Sequence, residues 1–564
     1  MPSSRTASIK SGHSSHAAAS SSSQATSMSD APASLKESPE SEPLPDDVVN
    51  QSESSKLKQL FGILKKSLGV KDLAAMRFSL PANLIEPMPN LSYWTYLDRP
   101  DIYLAMGQEG QDAVERMLAV VRFTFCMQTK FVHGRVVKPY NSVLGEHFRS
   151  HWDVSPATVK AGELEVHEFQ YHEPFGGASG DGTASEDEEA TGSDDEQFEE
   201  ATESPLVDRM DAMKISKQSH QEADTKSLRS VKTPAGKIKH RPSFDNSYFE
   251  YIPVNPPKAS ASSQFQERDG AQESRSNKPN LHRIAFLNEQ CSHHPPISTF
   301  WCESQPKGAT DGVGKVLSYG NDHLSAKFTG TSVKVYAGNV NKGVFVKLPG
   351  YGEEYQITHP TALITGFLRG APAILLADQT YITCTNESKS GKQLRTLLAY
   401  VDESWLGKAK YAVEGVIYEC EEGREQYDKI KRVPDKDVLA RIEGSWRGAL
   451  RYKLTSSGDD WKMLIDVSKL PPLPKTVRSM NQQEPDESHR FWNEVTIALK
   501  AKDFTKGNSI KQRIEQAQRD KAAELEKQGK EHEPVFFEKD ISSGKPVLSS
   551  AGRAAISIEL REPV

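Results

Sequence analysis

Hydrophobic and polar positions divide this chain into alternating stretches, stretches that recur every three to four residues, and stretches with no period. Between residues 284 and 418, short runs rich in Val, Ile, Tyr, Phe and Thr (ISTFW, SVKVYAG, TALITGFL, YAVEGVIY) are separated by Gly, Pro, Asn and Asp. Many strands at short spacing, with no long helical pattern between them, predict an antiparallel sheet closing into a barrel. Residues 110–127 carry Val114, Met117, Leu118 and Val121 at helical spacing, which predicts a core helix. A charged helix is predicted over 509–528. In residues 56–70, Leu57, Leu60, Phe61, Leu64 and Leu68 fall at helical spacing, and the only charges are Lys56, Lys58, Lys65 and Lys66. Such a helix can lie in an anionic membrane interface or pack on the domain's own surface. The pattern leaves both open.

Two stretches have no period. Residues 1–54 are dominated by Ser, Ala, Thr and Pro and cannot bury enough apolar surface to offset chain entropy. Residues 176–278 open with an acidic block, 181–204, which holds eleven acidic residues and no basic one. They then turn mixed-charge and Ser-rich. Strand-like sequence on both sides makes this an insertion inside a domain. The predicted organisation is a disordered tail over 1–54, one α+β domain over 55–540 interrupted by disorder at 176–278, and a C-terminal tail over 541–564. The fold class is a near-complete antiparallel β-barrel with N-terminal helices and a C-terminal helical subdomain.

Composition narrows the setting. Over 564 residues the net charge is −7, which gives no chain-wide reason to expect nucleic-acid binding. Mean hydropathy is −0.61. Five cysteines (Cys126, Cys291, Cys302, Cys384, Cys420) are scattered and lack a CxxC pair, so a reducing compartment is expected. The first residues lack the apolar core of a secretory signal, and no apolar run of about 18 residues could span a bilayer. The expected location is cytoplasmic, with transient, peripheral contact to membranes.

Candidate chemistry concentrates in three motifs. Residues 289–296 read EQCSHHPP, and His293 and His294 present two imidazoles where Pro295 and Pro296 interrupt ladder pairing. That arrangement suits an anion, a metal or proton transfer. A metal is disfavoured, because adjacent histidines do not converge as HxxxH or CxxC do, and only Cys291 and Cys302 are near. Ser292 has no GxSxG elbow around it. No cofactor and no enzymatic activity are expected. Residues 138–146 read KPYNSVLGE, where Lys138 and Asn141 could cradle a phosphate at a turn or simply decorate a loop. Lys511, Glu515 and Arg519 follow at steps of four on one helix face. From spacing alone, ordinary solvated i,i+4 ion pairs are the better account.

Together these motifs resemble the oxysterol-binding protein family. The first is similar to its EQVSHHPP fingerprint, with Cys291 in place of valine. The second is similar to KPxNPxLGE, with Ser142 in place of the second proline. The segments ESHRFWNEVTIAL and IEQAQR resemble its C-terminal region. The resemblance covers 56–175 and 280–540 and implies a short, single-domain member. It implies a lipid tunnel and a phosphatidylinositol 4-phosphate head group held by Lys138, Asn141, His293, His294, Lys511, Glu515 and Arg519. It also implies a lid that includes Leu80, Pro81, Leu84 and Ile85, and exchange of a sterol, or alternatively phosphatidylserine, between membranes at organelle contact sites. A phosphoinositide-sensing scaffold that transfers nothing is the rival from another class.

Within the acidic insertion, residues 197–203 (QFEEATE) are a degenerate match to the FFAT motif that binds endoplasmic-reticulum receptors. Phe198, Ala201 and Glu203 fit it, whereas Gln197 and Glu199 depart from it. A solubilising charge run would look the same.

Overall fold

In the computed structural model, the described residues are 53–66, 70, 72–73, 82–166 (without 109, 111, 128, 134–137 and 161), strand 252–254, and 281–561 (without 307–311, 367–372, 387–390, 402–409 and 459). Strands Leu317–Phe328, Val344–Leu348, Glu353–Ile357, Gln379–Asn386, Lys392–Tyr400, Ala412–Glu421, Val438–Ser445, Ala449–Leu454 and Lys462–Asp466 each pair antiparallel with the next. At the other end, His147–Val154 pairs with His282–His293, which turns into Pro296–Gln305 and so joins the meander. A flap of Val333–Ala337, Thr361–Thr365 and Ala373–Ala377 extends from Leu317–Phe328. The result is the predicted α+β fold with a near-complete barrel. Among the described residues no ladder joins Lys462–Asp466 back to the first strand.

Helix Ala113–Cys126 packs against the last strand instead. Asp112 caps it by accepting Val114 N–H at 2.7 Å. It is buried on nearly every side, so its ends and arginines need partners. Arg116 makes a two-pronged contact with Glu353 at 2.7 and 2.6 Å. Arg122 donates to Leu464 O and to Gly162 O, each at 3.2 Å. These bonds tie the helix to Glu353–Ile357 on one side and Lys462–Asp466 on the other.

Strand His282–His293 shows why the folded unit does not stop at 540. Ile284 and Phe286 enter the main core, while Ala285 and Leu287 face outward onto Phe536, Phe537, Ala555, Ile556 and Leu560. A strand covered on both faces reads as continuous hydrophobic sequence. The cover is helix Ser550–Leu560, within the segment expected to be a tail. That expectation is corrected: residues 541–561 belong to the domain. The expected disorder over 176–278 is corrected at one place, where Ile252–Val254 pairs parallel with Thr476–Arg478. Ile and Val there supply the β-branched residues that strands favour.

Helix Glu53–Lys66 packs on the domain's own surface. Leu60, Phe61 and Leu64 meet Phe328, Val333, Val335 and Ile364, with the Phe61 and Phe328 rings 5.9 Å apart. The register puts Val335, Ala362 and Leu376 opposite one another on this face of the flap. No described helix is long and apolar enough to cross a membrane.

Candidate functional site

Three segments distant in sequence meet where strand His147–Val154 begins. Gly145 N–H donates to Gln290 O at 3.0 Å, and Gln290 N–H donates to Glu146 O at 2.8 Å. This extends the ladder with His282–His293 by one step. Because the ladder is antiparallel, the chain before Gly145 and the chain after Gln290 run to the same edge. Asn141 lies on the first, and His293 and His294 lie on the second. Gly145 has φ +82°, and a Cβ there would lie 3.2 Å from His532 Cε1, so the turn needs glycine for both conformation and space.

The third segment is tied in by Glu146. Its buried carboxylate accepts Ser488 Oγ–H at 2.6 Å, Trp492 Nε1–H at 3.0 Å and Val143 N–H at 3.0 Å. Burial pushes its pKa up to about 7 despite those donors. The Tyr140 and Trp492 rings lie 4.9 Å apart. Tyr140, Val143, Trp492, Val495, Leu499 and Ile510 form one apolar cluster, which seats helix Phe504–Lys527 beside the KPYN turn.

Lys138 Nζ donates to Asn141 Oδ1 at 2.6 Å and to Pro139 O at 3.0 Å. Lys138 is exposed to solvent yet closely surrounded by protein. That crowding, and then the charge of Lys511, push its pKa from 10.5 down to about 8. Lys511 is therefore within electrostatic reach of the turn. It pairs with Glu515 at 2.9 Å. Arg519, a turn further along, is exposed and donates to Gln516 Oε1 at 3.0 and 2.6 Å. His293 and His294 are exposed, with rings 4.6 Å apart.

The prolines beside them mark a hairpin turn, not the end of pairing. His293 pairs with Pro296, which opens the returning strand, a position where a ladder tolerates proline. Cys291 and Cys302 belong to separate apolar clusters, so they do not converge with the histidines.

The sequence reading missed the residues that hold the motifs together. Besides Glu146, Ser488 and Trp492, Glu289 accepts Val535 N–H at 2.7 Å and Phe536 N–H at 2.8 Å, anchoring the C-terminal segment. Both glutamates belong to the quoted motifs, and that membership was the available signal. Of the lid residues, Leu84 and Ile85 are half-buried, and Ile85 packs on the Tyr140–Trp492 cluster. Leu80 and Pro81 lie outside the described residues, as do Phe198, Ala201 and Glu203.

A family model described as oxysterol-binding protein matches residues 59–170 and 272–552. Oxysterol-binding protein-like protein 1 of Schizosaccharomyces pombe is 35% identical over 516 residues, which is 91% of this chain and 92% of that relative. Oxysterol-binding protein-related protein 9 of Xenopus tropicalis is 30% identical over 259 residues, 46% of this chain but 31% of that longer protein. Among solved structures, the Osh1 ORD domain in complex with cholesterol aligns with a TM-score of 0.49 at 16% identity, covering 89% of this chain and 88% of that one. The Osh3 ORD in complex with PI(4)P from Saccharomyces cerevisiae aligns at 0.48 and 13%, covering 89% and 92%.

Proposed function

The chain belongs to the oxysterol-binding protein family, and on that premise we propose that it carries a sterol between membranes in exchange for phosphatidylinositol 4-phosphate. The observation that carries this reading is geometric: ladder pairing brings the KPYN turn and the chain reaching His293 and His294 to one edge, and helix Phe504–Lys527 is seated beside that turn, where Lys511 lowers the pKa of Lys138 by charge repulsion. Adding a doubly phosphorylated head group would relieve that repulsion, because charge-assisted bonds to phosphate are the strong kind. Asn141, His293 and His294 complete the rim. Glu515 would release Lys511 to the phosphate and orient it, and Arg519 would swing from Gln516.

The apolar part of the lipid finds matching surface. Val335, Ala362, Ile364, Ile374 and Leu376 are half-buried on the flap face that helix Glu53–Lys66 partly covers. Covering such surface is worth about 25 cal/mol per Å². One cavity serving two lipids in turn gives exchange by competition, and helix Glu53–Lys66 would shut water out during transit. The chemistry is binding and release at anionic membrane surfaces, with no bond made or broken. The acidic insertion would tether the carrier to the endoplasmic reticulum through Phe198, Ala201 and Glu203. Receptor pull-down unchanged by Phe198→Ala would remove the tether.

The test is the His293→Ala, His294→Ala double variant. It should keep the wild-type circular dichroism and lose extraction of phosphatidylinositol 4-phosphate from liposomes. Extraction that persists would refute the rim assignment. Loading the wild type from vesicles that offer both sterol and phosphatidylserine identifies the cargo. Head-group binding with no second lipid moved would favour a scaffold.

A further inference from the structure

Residues 82–89, which join the N-terminal helix to the core, are clasped on two sides by the elements that carry the rim cations. On one side, Glu86 N–H donates to Lys138 O at 2.9 Å and Tyr140 N–H donates to Met88 O at 3.1 Å. On the other, Ala82 N–H donates to Asn508 Oδ1 at 2.8 Å. Asn508 stands three residues before Lys511 on the same helix face, since steps of three and four stay together. Gly507 beside it is buried against Leu499, where a Cβ would lie 3.1 Å from Leu499 Cδ2, and it faces Ala82 at ordinary contact distance.

The strap also grips the N-terminal helix directly. Asn83 is buried, and its Nδ2 donates to Gln59 Oε1 at 3.0 Å. Gln59 lies on helix Glu53–Lys66, beside the Leu60, Phe61 and Leu64 face that sits on the flap. Hydrogen bonds therefore run from Asn508 through Ala82 and Asn83 to Gln59. One end of that path is a turn from Lys511, and the other is the helix that covers apolar sheet.

We infer that Asn508 is a positioning residue that couples occupancy of the Lys138–Lys511 rim to docking of helix Glu53–Lys66. This rests on the head-group reading above. Lys511 pairs with Glu515 at 2.9 Å before any anion arrives. An anion that draws Lys511 and Lys138 together also draws helix Phe504–Lys527 and the KPYN turn onto the strap between them. A tightened strap holds the docked helix. Coupling between sites is reciprocal, so a helix that docks less firmly must weaken the rim's hold on its anion by the same factor. Asn508 is half-exposed and touches the anion in neither state, so its effect passes entirely through Ala82.

The experiment uses the full chain as wild type, Asn508→Ala and Asn508→Asp, with soluble inositol 1,4-bisphosphate as probe. Calorimetry reads probe affinity, and amide exchange over residues 53–66 reads docking with and without probe. In the wild type, the probe should slow exchange of that helix. Asn508→Ala should lose the slowing and bind the probe about fivefold more weakly, the weight of one neutral hydrogen bond. Asn508→Asp keeps an acceptor for Ala82 N–H and should restore the slowing. If Asn508→Ala matches the wild type in both readouts, the coupling is refuted while the head-group reading stands. If the wild type binds no probe, the head-group reading fails and the coupling fails with it.

Discussion

Glu146 accepts the indole N–H of Trp492 at 3.0 Å, joining the end of one lipid-carrier motif to a helix nearly 350 positions away. The same carboxylate takes Ser488 Oγ–H and Val143 N–H. The motif's glutamate is thus the joint of the rim and not a member of it. Glu146→Gln puts an amide donor where neighbouring groups all donate, which should cost roughly 1–3 kcal/mol. The cost should also depend on pH. Burial raises Glu146 from 4.5 to about 7, so the folded state holds a proton that the unfolded state has released. Stability from this group is complete below pH 4.5 and is lost as pH rises through 7. The glutamine variant lacks that loss, so the gap between the two should be widest near pH 5 and narrow by pH 8. Thermal unfolding across that range decides it, and a gap independent of pH would contradict the joint.

Lys138 titrates near the working range for a different reason. Crowding and Lys511 bring it to about 8, so above pH 8 the free protein has lost this charge. A bound phosphate restores it, so binding should take up a proton near pH 8, and affinity should fall as pH climbs from 7.5 to 9. The phosphate has finished titrating by then. Lys138→Arg stays charged throughout and should flatten the profile. Calorimetry of inositol 1,4-bisphosphate in two buffers of different ionisation heat reads both effects. Equal slopes for the two proteins would separate Lys138 from the head group.

Gly145→Ala tests the turn that aligns Asn141 with the histidines. At φ +82° a Cβ is strained, and it would press on His532 Cε1 at 3.2 Å. Strain of this kind costs about 1–3 kcal/mol. The melting temperature should fall by several degrees, with head-group binding falling too because both rim segments leave this turn. His532→Ala in the same chain should recover only the steric part.

The chain announced its rim more clearly than its frame. His293 and His294 stood out as candidates because paired imidazoles beside two prolines are unusual in a core, whereas Lys138, Asn141 and Lys511 became candidates only through the resemblance of their motifs to a family. The barrel was legible from strand-rich runs, although its strand order was not. What stayed hidden depends on partners distant in sequence. Residues 541–561 read as a C-terminal tail until Ala285 and Leu287 are seen to need a cover. Helix Glu53–Lys66 could have met a bilayer or a sheet, and only the apolar face around Phe328 and Val333 decides between them. Ile252–Val254 is a three-residue strand inside mixed-charge sequence, too short to show a period.

That hidden cover yields the last prediction. Glu559 on helix Ser550–Leu560 is buried, accepts His151 Nδ1–H at 3.0 Å and pairs with Arg478 at 2.5 Å. Burial pushes its pKa up, but the His151 hydrogen bond and then Arg478 outweigh burial and hold it below the usual 4.5. Glu559→Ala leaves Arg478 and His151 facing a hole and should cost about 3 kcal/mol or more near neutrality, as broken buried pairs do. The pH dependence has the opposite sign to that of Glu146. A depressed carboxylate contributes stability above its unfolded pKa and loses it as pH falls through the folded value. The Glu559→Ala penalty should therefore be complete above about pH 5 and shrink in stronger acid, while the Glu146→Gln gap grows on the same descent. Denaturant unfolding of both variants at pH 4 and pH 7 compares the two trends. A Glu559→Ala penalty that persists undiminished into acid would mean that the helix is held by Ala555, Ile556 and Leu560 alone.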